Sequence, residues 1–183
     1  MSMSLDGYIA DPNDHLGGDD GNRLHDWFAQ DRESDRPSGP AGQLIDEYNA
    51  TGAVLAGRRT AELIDHWGGD HHHGVPIFVP SHRPPGPSVA NYPLVTYVTD
   101  RIARAMAQAK ATAGDRNVLV HSAYTAQRAL EAGVLDELQI HQIPVLLGRG
   151  RLQFEVLPAR IELEIVRVID TPEATHIHYR VRR

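Results

Sequence analysis

Cysteine is absent from the chain, which excludes a disulfide framework, a thiolate nucleophile and a Cys-ligated zinc site. The absence fits a cytoplasmic protein. Long apolar runs are missing as well. None approaches the roughly 20 residues that a membrane-spanning helix needs. Asp6, Asp11 and Asp14 interrupt the N-terminus where the apolar core of a secretion signal would lie. Lysine is reduced to Lys110 beside 17 arginines, and no block of like charge forms a basic arm or a nucleic-acid footprint. Neither a G-x-S-x-G elbow nor a G-x-G-x-x-G fingerprint occurs, so the common hydrolase and Rossmann signatures are both missing.

What is present has globular proportions. Hydrophobic residues make up 41% and charged residues 23% of 183 residues, which suits a single domain over 1–183 with a core that needs no staples. The net charge of −6 is unevenly placed: residues 1–36 hold nine acids and three arginines, and the remainder is balanced. Histidine is frequent at 11, with four between His66 and His73.

Residues 1–5 alternate weakly, Asp6-Gly7 signals a turn, and Tyr8–Ala10 reads as a second short strand. Residues 11–40 form a long surface excursion with one short helix near Leu24–Gln30. Helices are predicted over Gly42–Ala50, Thr60–Asp65, from a Thr99 or Asp100 cap to Ala113, and over Ala123–Ala132 with Gly133 at its C-cap. Strands are predicted at Ala53–Ala56, Val75–Pro80, Leu94–Thr99, Asn117–Val120 and Asp136–Pro144. Arg160–Asp170 and Thr175–Arg182 alternate with period two around Thr171-Pro172-Glu173, an antiparallel hairpin. Strands alternating with helices predict a largely parallel sheet covered on both faces.

Three segments carry a resemblance. They are Ser4-Leu5-Asp6-Gly7-Tyr8-Ile9-Ala10, Gly57-Arg58-Arg59-Thr60, and Asn117–Phe154 with Pro144-Val145-Leu146-Leu147-Gly148-Arg149-Gly150 inside it. Together and in this order they resemble the dihydrofolate-reductase-like superfamily, in its bacterial branch related to the reductase domain of riboflavin biosynthesis. The resemblance implies an α/β fold, a three-layer α/β/α sandwich with a mixed, mostly parallel sheet and an antiparallel C-terminal hairpin. It also implies an NADPH-dependent reductase of a small-molecule substrate and a homodimer formed through the later strands. Met1 falls inside the first strand of that pattern, so the expectation is either a short first strand or a start that is late relative to the family.

Gly57-Arg58-Arg59-Thr60 joins a strand to a helix. A helix N-terminus offers free N–H groups and partial positive charge, glycine lets the backbone come close, and arginine holds phosphate bidentately. By resemblance this is the phosphate end of the NADPH site; an ordinary junction with solvated arginines is the alternative. Ser81-His82-Arg83 follows a strand and by resemblance lies near the adenosine and 2′-phosphate, against a Pro-rich loop with no ligand. Asp6 lies by resemblance at the substrate end, as the candidate catalytic carboxylate, or else it only ties its own turn to backbone amides. Tyr8–Ala10, with Ala10 at the end, would supply backbone contacts to the nicotinamide amide.

Ser122, Ala123, Tyr124 and Thr125 occupy the segment where the family carries two glycines and a small residue against the cofactor pyrophosphate. Cβ atoms on Ser122 and Ala123 crowd that approach, while Thr125 and the helix N-terminus still offer donors. Two readings stand: NADPH in a modified pose, or a non-catalytic or ligand-binding paralogue that has lost it. The His66–His73 segment is read as a polar loop, with a metal site as the weaker option because its spacing matches no zinc pattern. His176 and His178 share a strand face, read as half-exposed or as a subunit contact.

Overall fold

A computed structural model describes residues 1–13, 23–28, 39–71, 73–155, 157 and 159–183. In chain order the elements are β1 (Ser2–Ser4), β2 (Tyr8–Ala10), α1 (Gly39–Asn49), β3 (Thr51–Ala56), α2 (Arg58–Leu63), β4 (Ile77–Pro80), β5 (Val95–Val98), α3 (Ile102–Ala113), β6 (Asn117–His121), α4 (Ala123–Glu131), β7 (Glu137–Ile143), β8 (Arg151–Leu152), β9 (Leu163–Asp170) and β10 (Thr175–Val181). They fall into two compact units, Asp46–Val134 and Met1–Ile45 with Leu135–Arg183.

In the Asp46–Val134 unit, β3 is buried at all six positions. A strand interior to a parallel sheet is covered on both faces and therefore reads as a continuous apolar run. The order is β5-β4-β3-β6, every pair parallel. Val54, Ala56, Ala61, Val75, Ile77, Val79, Val89 and Val95 make its core, with Trp67, Tyr92, Tyr97 and Leu119 packed on the rim. α3 buries Ala105, Met106, Ala109 and Ala113, the single apolar face its spacing predicts.

In the other unit the order is β1-β7-β10-β9, with β1 parallel to β7 and the rest antiparallel. The predicted C-terminal hairpin is therefore present as β9 and β10. β2 pairs antiparallel with β8. Leu24, Ile143 and Ala174 form a buried cluster with Trp27, Val145 and Leu147 against it.

Several expectations shift. The helix near Leu24–Gln30 is a single 3-10 turn, Arg23–His25, and Gln30 lies outside the described residues, as do 14–22 and all of 29–38 of the predicted excursion. So few residues do not repay helix nucleation, whereas Leu24 and Trp27 gain burial in a turn. α2 starts at Arg58 rather than Thr60, because Gly57 is itself the N-cap where β3 ends. The N-cap of α3 is Arg101, neither Thr99 nor Asp100; the Asp100 carboxylate instead accepts the Arg101 amide at 2.6 Å. Among the described residues no helix is long and apolar enough to cross a membrane.

Candidate functional site

Parallel strands deliver their C-terminal ends to one edge, and ligands of open α/β sheets bind outside that edge. In the Asp46–Val134 unit this edge gathers Gly57–Thr60 after β3, Ser81–Arg83 after β4 and Ser122–Thr125 after β6. Three of the predicted cofactor segments are thus brought to one sheet edge by topology. Asp6 and Ala10 belong to the other unit.

Two of the three segments touch. The Gly57 amide donates to the His121 carbonyl at 3.3 Å. A Cβ built on Gly57 would lie 2.5 Å from Ser122 Oγ and 2.7 Å from Thr125 Oγ1. Only glycine lets the two strand–helix junctions pack this closely. Ser122 caps α4, its hydroxyl accepting the Thr125 amide at 3.4 Å, and it does so with φ 83° and ψ 135°. That backbone favours glycine and costs an L-residue roughly 1–3 kcal/mol. Ser122 therefore keeps a glycine-like backbone without being glycine. Ala123 and Thr125 are buried, and Tyr124 is 66% exposed with the Arg128 guanidinium 4.9 Å above its ring.

Arg58 pairs with Glu62 one turn on, at 2.6 Å. Arg59, His82 and Arg83 are exposed, and Thr60 is half-buried. Ser81 is buried, and its hydroxyl accepts the Arg83 amide at 2.9 Å and donates to the Arg83 carbonyl at 2.7 Å, so it shapes its own loop.

Asp6 makes a bracket in its own unit. Ser4, fully buried, donates its hydroxyl to Asp6 Oδ1 at 2.6 Å and accepts the Tyr8 amide at 2.9 Å. The Leu147 and Gly148 amides donate to the carboxylate at 3.1 and 2.7 Å. The Ser4 hydroxyl above all, with the two amides, holds Asp6 below the ordinary carboxylate range, and burial opposes the shift. Ala10 is buried in β2, opposite Arg151 of β8. Ser4 was not among the expected site residues; only its place two residues before an Asp-Gly turn signals its role.

The His66–His73 segment separates. Asp65, His66 and Trp67 are left-handed, with φ 44°, 54° and 54°, and Gly68 and Gly69 continue the turn. Each such non-glycine residue costs about 1–2 kcal/mol. The turn is held by Tyr92 donating to Asp65 at 2.6 Å, by a 2.9 Å bond between His66 Nε2 and Tyr97 Oη, and by Trp67 packing on His71 and His121. His72 lies outside the described residues. His176, expected on a half-exposed face, is 3% exposed and bonded to His141; their pairing depends on sheet register, which no local motif announces.

The family model described as "RibD C-terminal domain" matches residues 1–177. No curated protein matches the chain. A Shewanella sp. PV-4 protein assigned to riboflavin biosynthesis is similar in structure, with a TM-score of 0.74, 22% identity, and 99% of this chain and 96% of that one covered. A pyrimidine reductase-like protein of Corynebacterium diphtheriae gives a TM-score of 0.58 at 14% identity, covering 99% of this chain and 89% of that one. A Thermotoga maritima diaminohydroxyphosphoribosylaminopyrimidine deaminase/5-amino-6-(5-phosphoribosylamino)uracil reductase gives 0.61 at 12% identity, and this chain spans 54% of its length against 98% of its own. These likenesses show a dihydrofolate-reductase-like α/β fold.

Proposed function

The chain belongs to the RibD C-terminal domain family, and from that premise we propose that it is an NADPH-dependent reductase acting on a small heterocyclic or sugar-linked substrate. The observation that carries the reading is the contact of the two strand–helix junctions at Gly57 and Ser122–Thr125. Adjacent helix starts offer backbone donors to a phosphate, and Ser122 holds a positive φ of 83°, a backbone that glycine favours. In the Asp46–Val134 unit the residues present fit the phosphate groups: Arg59, with Arg58 and Thr60, and Arg83, with Ser81 and His82, take the 2′-phosphate and adenosine side, and Ser122–Thr125 take the pyrophosphate. Bound NADPH would supply the hydride. Asp6, held ionised by its donors, serves as an acceptor for a substrate hydroxyl or amine and not as an acid at neutral pH. The aminopyrimidine of the Thermotoga relative is the substrate type to try first.

Calorimetric titration tests this. NADPH is expected to bind and NADH to bind at least ten-fold more weakly. Arg59→Ala/Arg83→Ala is expected to weaken NADPH roughly 10- to 100-fold, the worth of a charge-assisted bond or two, and to leave NADH unchanged. Equal affinity for the two nucleotides would sink the 2′-phosphate assignment. A second reading, the paralogue without cofactor, is favoured by the Arg58–Glu62 pair and by the self-satisfied Ser81; the absence of binding by either nucleotide would establish it.

The partner proposed is a second copy of the chain. Leu163, Ile165, Val166 and Val168 of β9 are exposed together, an apolar surface that association would cover. Ile165→Lys/Val168→Lys is expected to convert a dimer to monomer in sedimentation equilibrium; an unchanged mass would exclude β9.

A further inference from the structure

His141 of β7 and His176 of β10 stand directly opposite each other in antiparallel register, with their Nδ1 atoms 2.8 Å apart. The neighbouring bonds favour one direction for this contact. The Thr171 hydroxyl has one hydrogen and lies nearer the Ala174 carbonyl, at 3.0 Å, than His176 Nε2, at 3.2 Å. With that hydrogen on the carbonyl, the hydroxyl oxygen accepts from His176 Nε2, which leaves Nδ1 bare. In this arrangement His141 donates from Nδ1. Trp27 lies over this pair, its ring 4.1 Å from that of His141 and edge-on to His176 at 4.8 Å, with its indole N–H on Ser2 Oγ at 2.9 Å. In the same short segment His25 buries an Nδ1 that has no hydrogen-bond partner, and Leu24 is fully buried.

We infer that the His141–His176 pair is a proton-operated latch, holding the Arg23–Phe28 segment on this sheet face at neutral pH and releasing it on acidification. One added proton can sit on His141 Nε2 without breaking the Nδ1 bond. A second sets N–H against N–H at 2.8 Å and two cations side by side. His25 and the Met1 amine, itself lowered by burial to about 5, deepen this effect once they are protonated. Arg167 and the His178–Glu137 pair share the sheet face, and Glu173 and Asp170, at the β9–β10 turn, act in the opposite sense. Burial first, then the Met1 amine, His176 and His25, keeps His141 well below the ordinary imidazole value. His176 and His25 are lowered too, chiefly by burial, with Glu173 and Asp170 opposing at His176 and Asp26 at His25. The seated state thus binds fewer protons than the released one, so seating is favoured above the ordinary histidine pKa and is lost as pH falls below it. Leu24 resists release and sets the midpoint lower still.

The test uses the intact chain and the indole N–H of Trp27, assigned by NMR. Its exchange, corrected for the intrinsic pH dependence, is expected to be at least ten-fold faster at pH 5 than at pH 7.5, while amides of β3, β4 and β6 stay protected. In His176→Gln, whose carboxamide can still accept from His141, the step is expected to move to lower pH and to become shallower. An identical step in the variant, no step above global acid unfolding, or simultaneous loss of protection everywhere would overturn the latch. Should the variant not fold, imidazole nitrogen shifts of the wild-type chain decide: protons on His141 Nδ1 and His176 Nε2 support it, and the opposite tautomers overturn it.

Discussion

Gly150→Ala is expected to lower the melting temperature by about 10 °C. Gly150 has φ 136°, and a Cβ placed on it would run into the Ala10 carbonyl oxygen and lie 3.1 Å from the Ala10 carbonyl carbon and 3.2 Å from Asp11 Cα. All three neighbours are backbone, so no side chain can rotate away. Relief requires β2 and β8 to part, and their ladder rests on two residue pairs, Tyr8–Leu152 and Ala10–Arg151. The conformational cost of about 1–3 kcal/mol and a steric cost of similar size sum to roughly 2–6 kcal/mol. For a chain of this length each kcal/mol shifts the melting temperature by about 2–4 °C. Gly148→Ala is the control: φ is 70°, yet nothing lies within 4 Å of its Cβ. It carries only the conformational cost and is expected to lose a few degrees. Equal losses in calorimetry for the two variants would show that the close approach of Gly150 to Ala10 contributes nothing.

The contrast between these glycines bears on what the sequence discloses. Gly148–Gly150 is legible as a turn, because glycine marks positive φ. That Gly150 touches Ala10 is not legible, since the two are far apart in the chain and β8 is too short to show a period. Ala53–Ala56 announces a buried strand by its unbroken apolar run, though β3 begins two residues earlier, at Thr51; α3 announces its buried face by spacing, and β9–β10 announce themselves by alternation. The cap of α3 is missed because Asp100 satisfies an adjacent amide and Arg101 takes the cap position. Of the candidate site, the three segments at the parallel edge follow from strand–helix order alone. The Asp6 bracket is half visible: the Asp-Gly turn is local, but its amide donors come from Leu147 and Gly148. The left-handed run Asp65–Trp67 has no sequence signal, because Tyr92 and Tyr97 hold it from outside the segment.

Gly57→Ala should destabilise the chain by about 2 kcal/mol, within the range of overpacking. Gly57 has φ −64°, so alanine meets no backbone strain there and the whole effect is contact with Ser122 and Thr125. Ser122→Gly on its own should stabilise the chain by at most about 2 kcal/mol. Relief of roughly 1–3 kcal/mol of strain is partly offset by about 0.4–1 kcal/mol of added unfolded-chain freedom and a few tenths from the lost cap. In the double variant the atoms that lie 2.5 and 3.0 Å from the new Cβ are gone, and only Thr125 Oγ1 at 2.7 Å remains. The two changes should therefore couple favourably, by roughly 1–2 kcal/mol in a urea-denaturation cycle, as contacting residues do. Affinity separates packing from ligand binding. Under the proposed reading, Gly57→Ala pushes the two helix starts apart and weakens NADPH about ten-fold, and Ser122→Gly restores most of it, ten-fold being about 1.4 kcal/mol. Additive stabilities would mean that the junctions do not meet at Gly57. Coupled stabilities with NADPH binding untouched would mean that they meet without forming the phosphate site.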